Sequence, residues 1–249
     1  MSTIRVDSSR AVLLASAVLL AGAAMAPVPA TAQTKVTDKW ITVVLPAEPP
    51  DIDACMATRA FQGRVVKMNI AETLVEKNPQ DGSLKPRLAL SWERIDDSNW
   101  RFKLRRDVVF HDGSKFNAAA VKRSIERTLN KAIVCGDRAK FYASLSYEVV
   151  AEDEYTAVFK ANMPAPITPM LMSQTVIFGP NEPFDKVVPA GAGPVGTGPY
   201  AFDSWQTGQQ ILLKRFDKYW GAKPPIEGVR YIWRDESAVR AAMVELGEA

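Results

Sequence analysis

Apolar and polar positions alternate with a period that changes several times along the chain, and each change marks a new element. "KWITVVL" carries a β-branched apolar run over Trp40–Leu45, closed by Pro46, Pro49 and Pro50, and predicts a buried strand. In "RAFQGRVVKMNIAETLVEK" the residues Phe61, Val65 and Met68 recur at helical spacing and lead into a second apolar stretch at Leu74 and Val75. Residues 88–92 and 100–105 flank the turn-forming cluster Asp96-Asp97-Ser98-Asn99 and predict a hairpin. Its second arm alternates Trp100, Phe102 and Leu104 with Arg101, Lys103 and Arg105, the pattern of a sheet with one wet face. The period then becomes helical: Asn117 can cap a helix that begins at Ala118 and ends near Asn130, with Val121, Ile125 and Leu129 on one side.

A second hairpin is predicted where residues 147–150 and 155–159 flank Glu152-Asp153-Glu154, and a third over residues 200–215 around Thr207-Gly208. Between them, "NMPAPITPMLMSQTVIF" reads as a proline-rich loop entering a short helix or a strand. The last helix, in "DESAVRAAMVELGEA", sets Val239, Met243 and Leu246 on one face and has Gly247 placed to stop it. Hairpins in the middle with strand-plus-helix segments at both ends suit an α+β fold, in which the two ends return to a shared sheet.

The amino end is different. Arg5 and Arg10 precede an apolar run from Ala11 to Ala26, and "PVPATAQ" follows with small residues, so residues 1–32 read as a secretory signal peptide cleaved after Ala32. The run is short against the ~20 apolar residues of a spanning helix, and no cysteine stands at the cleavage point to carry a lipid. The chain has 31 basic and 28 acidic residues, and residues 1–32 remove Arg5, Arg10 and Asp7. The balance that remains, without long basic runs, argues against nucleic acid or an anionic membrane as partner. Cys55 and Cys135 are the only two cysteines. An oxidising compartment favours their pairing as a disulfide, and two separate buried thiols are the alternative. With no CxxC pair and a single histidine, zinc is disfavoured.

"GAGPVGTGPY" contains the Gly191-x-Gly193-x-x-Gly196 spacing of dinucleotide loops, but the context fails. Pro194 and Pro199 remove donors, and the next segment alternates as a strand instead of opening a helix whose N–H groups would face a phosphate. A tight glycine turn is the physical reading. His111, the only histidine, sits in "FHDGS" between a strand and a capped helix and reads as a turn residue. There is no GxSxG elbow for it to serve. Trp92 and Trp100 are expected in a sheet core by alternation, whereas Trp220 lies in a loop and packing alone explains it less well.

Three stretches together are similar to one family: "WRFKLRRDVVFHDGSKFNAAAVKRSIER", "VVAEDEYTAVFKANMPAPITPML", and the segment from Gly196 onward with Gly196-Thr197-Gly198-Pro199-Tyr200, Tyr219-Trp220-Gly221 and Gly247-Glu248. They resemble the periplasmic peptide-binding proteins of ABC transporters, extracellular solute-binding protein family 5. Asp107 stands where a glycine is usual, in a turn whose left-handed backbone Asp tolerates, and Lys115 where proline is common.

The resemblance implies the first lobe of a two-lobed protein: core residues 33–74, an inserted hairpin-rich subdomain over 75–190, and a return to a mixed core sheet over 191–249. Family chains are much longer, and this sequence ends at "VELGEA", near the usual crossing into the second lobe. The resemblance therefore also implies that the second lobe is absent. Such proteins are monomeric, perform no chemistry, need no cofactor, and carry an oligopeptide, dipeptide, nickel chelate or sugar to permease subunits. Their cleft would here be faced by Glu48, Pro49 and Asp51 after the first strand, by Asn69, and by Gly196, Thr197 and Gly198. Strand termination for the proline and a turn for the glycines are the bland alternatives. A secreted hydrolase working through His111, or a periplasmic sensor or chaperone domain, are the rival functions.

Overall fold

Both ends of the described chain meet in one sheet. The structure is a computed structural model describing residues 39–57 and 59–249; the signal peptide expected over residues 1–32 lies outside them. From the amino end run β1 (Trp40–Leu45), a 3-10 turn (Ala54–Met56), α1 (Ala60–Val66), β2 (Glu72–Thr73), β3 (Val75–Lys77) and β4 (Leu84–Pro86). The middle holds β5 (Ala89–Arg94), β6 (Asn99–Leu104), α2 (Ala118–Leu129), α3 (Gly136–Phe141), β7 (Tyr147–Asp153), β8 (Thr156–Ala161), α4 (Thr168–Leu171) and β9 (Val176–Ile177). The chain closes with β10 (Tyr200–Gln206), β11 (Gln210–Arg215), β12 (Gly228–Trp233) and α5 (Ser237–Glu245).

The first sheet has the order β1-β12-β11-β10, with β1 parallel to β12 and the other pairs antiparallel, so it is mixed and draws on both ends. The second, β5-β6-β8-β7, is antiparallel throughout. Its alternation is the one in the sequence: Phe102 and Leu104 are buried, and Phe102 meets Phe159 edge to face at 5.0 Å. Arg101 lies on the wet face, bridging Glu93 and Glu152 at 2.7 Å each. Helix α2 packs on β7 and β8 through Val121 and Ile125, and Asn117 caps it by accepting from the Ala120 amide at 2.9 Å. Each fully buried aliphatic or aromatic side chain contributes about 1.5–3 kcal/mol. Two cores result, one around Phe102, Phe110, Phe116, Val121 and Phe159, the other around Leu45, Ile52, Val65, Phe178, Ile211 and Tyr231.

Three sequence expectations change. The helix marked by Phe61, Val65 and Met68 stops at Val66, and Met68 adopts a left-handed backbone with φ 66°. Its amide donates to Ala71 O at 2.8 Å, so Ile70 and Ala71 are buried by a turn into the strand region and not by another helical turn. Asp107 does not take the left-handed conformation; among the described residues only Met68 and Ala143 do so without being glycine. Helix α5 ends as its glycine demands, with Gly247 at φ 73° and the Glu248 amide donating to Met243 O at 2.8 Å. Yet none of its residues is buried, and Val239, Val244 and Leu246 are exposed.

Cys55 and Cys135 form a disulfide with Cα atoms 5.2 Å apart, which ties the loop after β1 to the entry of α3. With Ile133 they make a small separate apolar cluster. A bridge between residues 80 apart restricts a large loop of the unfolded chain. Replacing both cysteines by serine is expected to lower unfolding free energy by about 2–4 kcal/mol, read from urea melts of the variant against the oxidised parent.

Candidate functional site

The loop that leaves β1 is fixed by one buried carboxylate. Asp53 and Arg127 are both essentially without exposed surface. They pair in a fork, Nη1 to Oδ1 at 3.0 Å and Nη2 to Oδ2 at 2.6 Å. Backbone amides of Cys55 and Val188 donate to the same carboxylate at 2.7 and 2.6 Å. Arg127 also donates to the carbonyls of Pro183 and Lys186. Every lone pair that desolvation would leave costly is therefore answered, which is the condition for burying a charge. The arrangement joins the loop after β1, helix α2 and the 183–188 segment.

A second buried carboxylate organises the Gly-Thr-Gly stretch. Glu72, fully buried, accepts from Arg87 Nε at 2.8 Å and the Tyr219 hydroxyl at 3.0 Å on one oxygen. On the other it accepts from the Thr197 hydroxyl at 2.9 Å and Trp220 Nε1 at 2.8 Å. The Arg105 guanidinium lies over the Trp220 ring, 4.0 Å from its centroid, and Arg87 stands at 5.3 Å. Trp220 thus has a structural partner on both its face and its N–H. Burial, and next the Glu72 charge, push the Tyr219 phenol above its ordinary value.

Gly196 and Gly198 press against the 69–71 backbone. A Cβ on Gly196 would stand 2.0 Å from Ile70 O, and one on Gly198 2.2 Å from Asn69 O. The contact is closed by Gly198 N donating to Ile70 O at 2.9 Å and Tyr200 N to Asn69 O at 3.0 Å. The glycines serve close approach, and neither has a positive φ. His111 grips the other side: its backbone N–H donates to Gly196 O at 2.9 Å, Nε2 lies 2.9 Å from Gly198 O, and Gly196 N donates to Nδ1 at 3.4 Å. This pattern needs the neutral ring protonated at Nε2. Burial lowers the His111 value, partly offset by the Gly198 carbonyl and Asp112.

Asn69 and the 196–198 segment are in direct backbone contact. Asn69 also donates through Nδ2 to Arg64 O at 2.8 Å and to the Tyr231 hydroxyl at 3.1 Å. Thr197 is buried with its hydroxyl on Glu72. Glu48 accepts from Trp205 Nε1 at 2.8 Å and Gly208 N at 3.0 Å, against the β10–β11 turn. Pro49 is buried, and Asp51 accepts from the Asp53 amide at 3.1 Å while burial pushes its carboxyl up. Sequence reasoning missed Glu72 and Arg127, and read Asp53 as the end of a cleft-facing loop and not as a buried partner of Arg127. Glu72 had a readable signal, a lone carboxylate inside the apolar run "NIAETLV".

The mixed α+β fold matches that of solved solute-binding proteins. The profile of bacterial extracellular solute-binding proteins, family 5 Middle, matches residues 83–249, and the chain belongs to that family. The glutathione-binding protein GsiB of Escherichia coli O1:K1 / APEC is 32% identical over 224 residues, which cover 79% of this chain and 43% of the relative. Among solved structures, the nickel ABC transporter protein of Bacillus halodurans superposes with TM-score 0.70 at 28% identity, over 85% of this chain and 42% of that one. The oligopeptide-binding protein AppA of Bacillus subtilis shares the fold with TM-score 0.73 at 23% identity, over 84% of this chain and 42% of that one. The chain therefore spans less than half the length of these proteins and fits one lobe.

Two outcomes follow from the Gly-Thr-Gly packing. Gly198→Ala forces its Cβ into backbone and is expected to cost about 1–3 kcal/mol, as overpacking does, measured by urea denaturation. Because the folded value of His111 lies below the ordinary ~6.5, the folded state binds its proton less readily than the unfolded chain. Its stabilisation is complete above about pH 6.5 and is lost as pH falls below that toward the folded value. Urea midpoints at pH 7.5 and 5.0 should differ more for the parent than for His111→Gln.

Proposed function

We propose that this chain supplies one wall of the ligand cleft of an ABC importer's solute-binding protein, which captures a small solute in the periplasm and hands it to a membrane permease. The family match over residues 83–249 carries the reading. A peptide is the favoured solute, since the glutathione-binding relative is named for one, and a nickel chelate is the second, after the Bacillus halodurans neighbour. The solute meets the partly exposed Glu48, Asp51 and Asn69, and the buried Pro49, Gly196, Thr197 and Gly198 back that wall from inside the lobe. Thr197 acts there by holding the backbone, because its hydroxyl is engaged by Glu72.

Capture without chemistry fits the state of His111. Both of its ring nitrogens face backbone groups of the 196–198 segment, which leaves no lone pair for a general base of a hydrolase. Enclosure is the physical need: specific sites bury roughly 70–90% of a small ligand, and a cleft closing between two walls supplies this. The 249-residue chain alone is then expected to bind glutathione or trialanine at least about a hundredfold more weakly than a relative with both walls, about 2.7 kcal/mol. Isothermal calorimetry checks this. Micromolar affinity would sink the shared-wall arrangement, and no heat from glutathione, trialanine or nickel–histidine at millimolar concentration would count against solute capture itself.

A further inference from the structure

A cavity of about 340 Å³ opens beside the exit of α1, lined by Lys67, Met68, Thr73, Glu76, Ser173 and Gln174 among others. Its hydrogen-bonding groups are unevenly engaged. The Thr73 hydroxyl donates to Val75 O at 2.7 Å, the Ser173 hydroxyl to Met170 O at 2.7 Å, and one Gln174 amide N–H to Ser173 Oγ at 3.1 Å. Glu76 is paired with Arg87 at 3.2 Å, so its charge is already answered. Lys67 differs. Its ammonium donates to Gln174 Oε1 at 3.2 Å, a neutral acceptor, which engages one of three N–H groups. The other charges acting on it are Asp137, which favours the ammonium, and Lys140, which opposes it. Among the described residues Lys67 therefore has no carboxylate within hydrogen-bond reach, since the lining carboxylate Glu76 is turned to Arg87, and Lys77 adds a second cation to the lining.

We propose that this cavity is an anchoring subsite for the carboxylate of a captured solute, with the Lys67 ammonium as its anchor. The proposal rests on the solute-capture reading and adds the chemistry of the solute's end. Lys67 lies two residues before Asn69, so the subsite adjoins the wall assigned to the cleft. Met68 and Pro79 supply apolar surface for the carbon atoms next to the carboxylate. Burial holds the Lys67 amine below its ordinary value, and an arriving carboxylate reverses that cost by a charge-assisted hydrogen bond.

The test is an NMR titration of the uniformly ¹⁵N-labelled full chain with trialanine, trialanine amide, glutathione and inorganic phosphate. Trialanine is expected to shift the amides of residues 67–73 and 173–174. The apparent Kd should rise about tenfold or more for trialanine amide and for Lys67→Met, as loss of a hydrogen bond to a charged group predicts. Lys67→Arg should restore it, and the spectrum of each variant reports whether it is folded. Equal shifts from trialanine and its amide, or the same shifts from phosphate, overturn a carboxylate anchor. Shifts confined to residues 48–53 and 196–198 overturn the subsite and leave solute capture standing. No shifts from either trialanine or glutathione overturn both.

Discussion

A buried charge must be met by donors from wherever the fold can bring them, and Glu72 imposes that demand on this molecule. Its carboxylate has no exposed surface, and Arg87, Thr197, Tyr219 and Trp220 close on it. These residues lie 15, 125, 147 and 148 positions away in the chain. An unanswered carboxylate there would cost several kcal/mol, so the 72–77 strands, the Gly-Thr-Gly segment and the Tyr-Trp-Gly loop are held to one arrangement. The close contact of Gly196 and Gly198 with residues 69–71 is the steric side of the same constraint.

Asp53 does for the loop after β1 what Glu72 does for the glycine segment. Its fork with Arg127, the two backbone donors and the adjacent Cys55–Cys135 bridge fasten that loop to the hairpin-rich part. Loops placed by such anchors can present fixed peptide groups to a solute at little ordering cost on binding. In the proposed role, that is what a wall of a ligand cleft requires. Lys67 stands out against this background because the only hydrogen-bond acceptor it reaches among the described residues is an amide.

The hairpins, the capped α2 helix and the terminal α5 helix were legible because each rests on local rules: alternation, an Asn cap, a glycine stop. The α1 boundary was not. Met68 continues a helical period in sequence, while its amide pairs with Ala71 O, a contact that only the fold provides. Of the candidate site, Asn69 and the Gly-Thr-Gly segment do come together. Glu48, in contrast, lies on the β10–β11 turn, because Trp205 and Gly208, 157 and 160 residues away, offer it donors. Nothing near Glu48 in the chain announces them.

Periodicity, caps and turn residues determined the α+β class, the elements and the exclusion of a dinucleotide loop, since these depend on neighbours a few positions apart. Tertiary structure alone decided which partners Glu72, Asp53 and His111 take and that Lys67 keeps donors to spare beside a cavity, and it bore out the cysteine pairing that composition had left open. The physical reason is the same for all of them. Buried polar groups must find complements across large sequence separations, and a one-dimensional pattern records the need but not the partner.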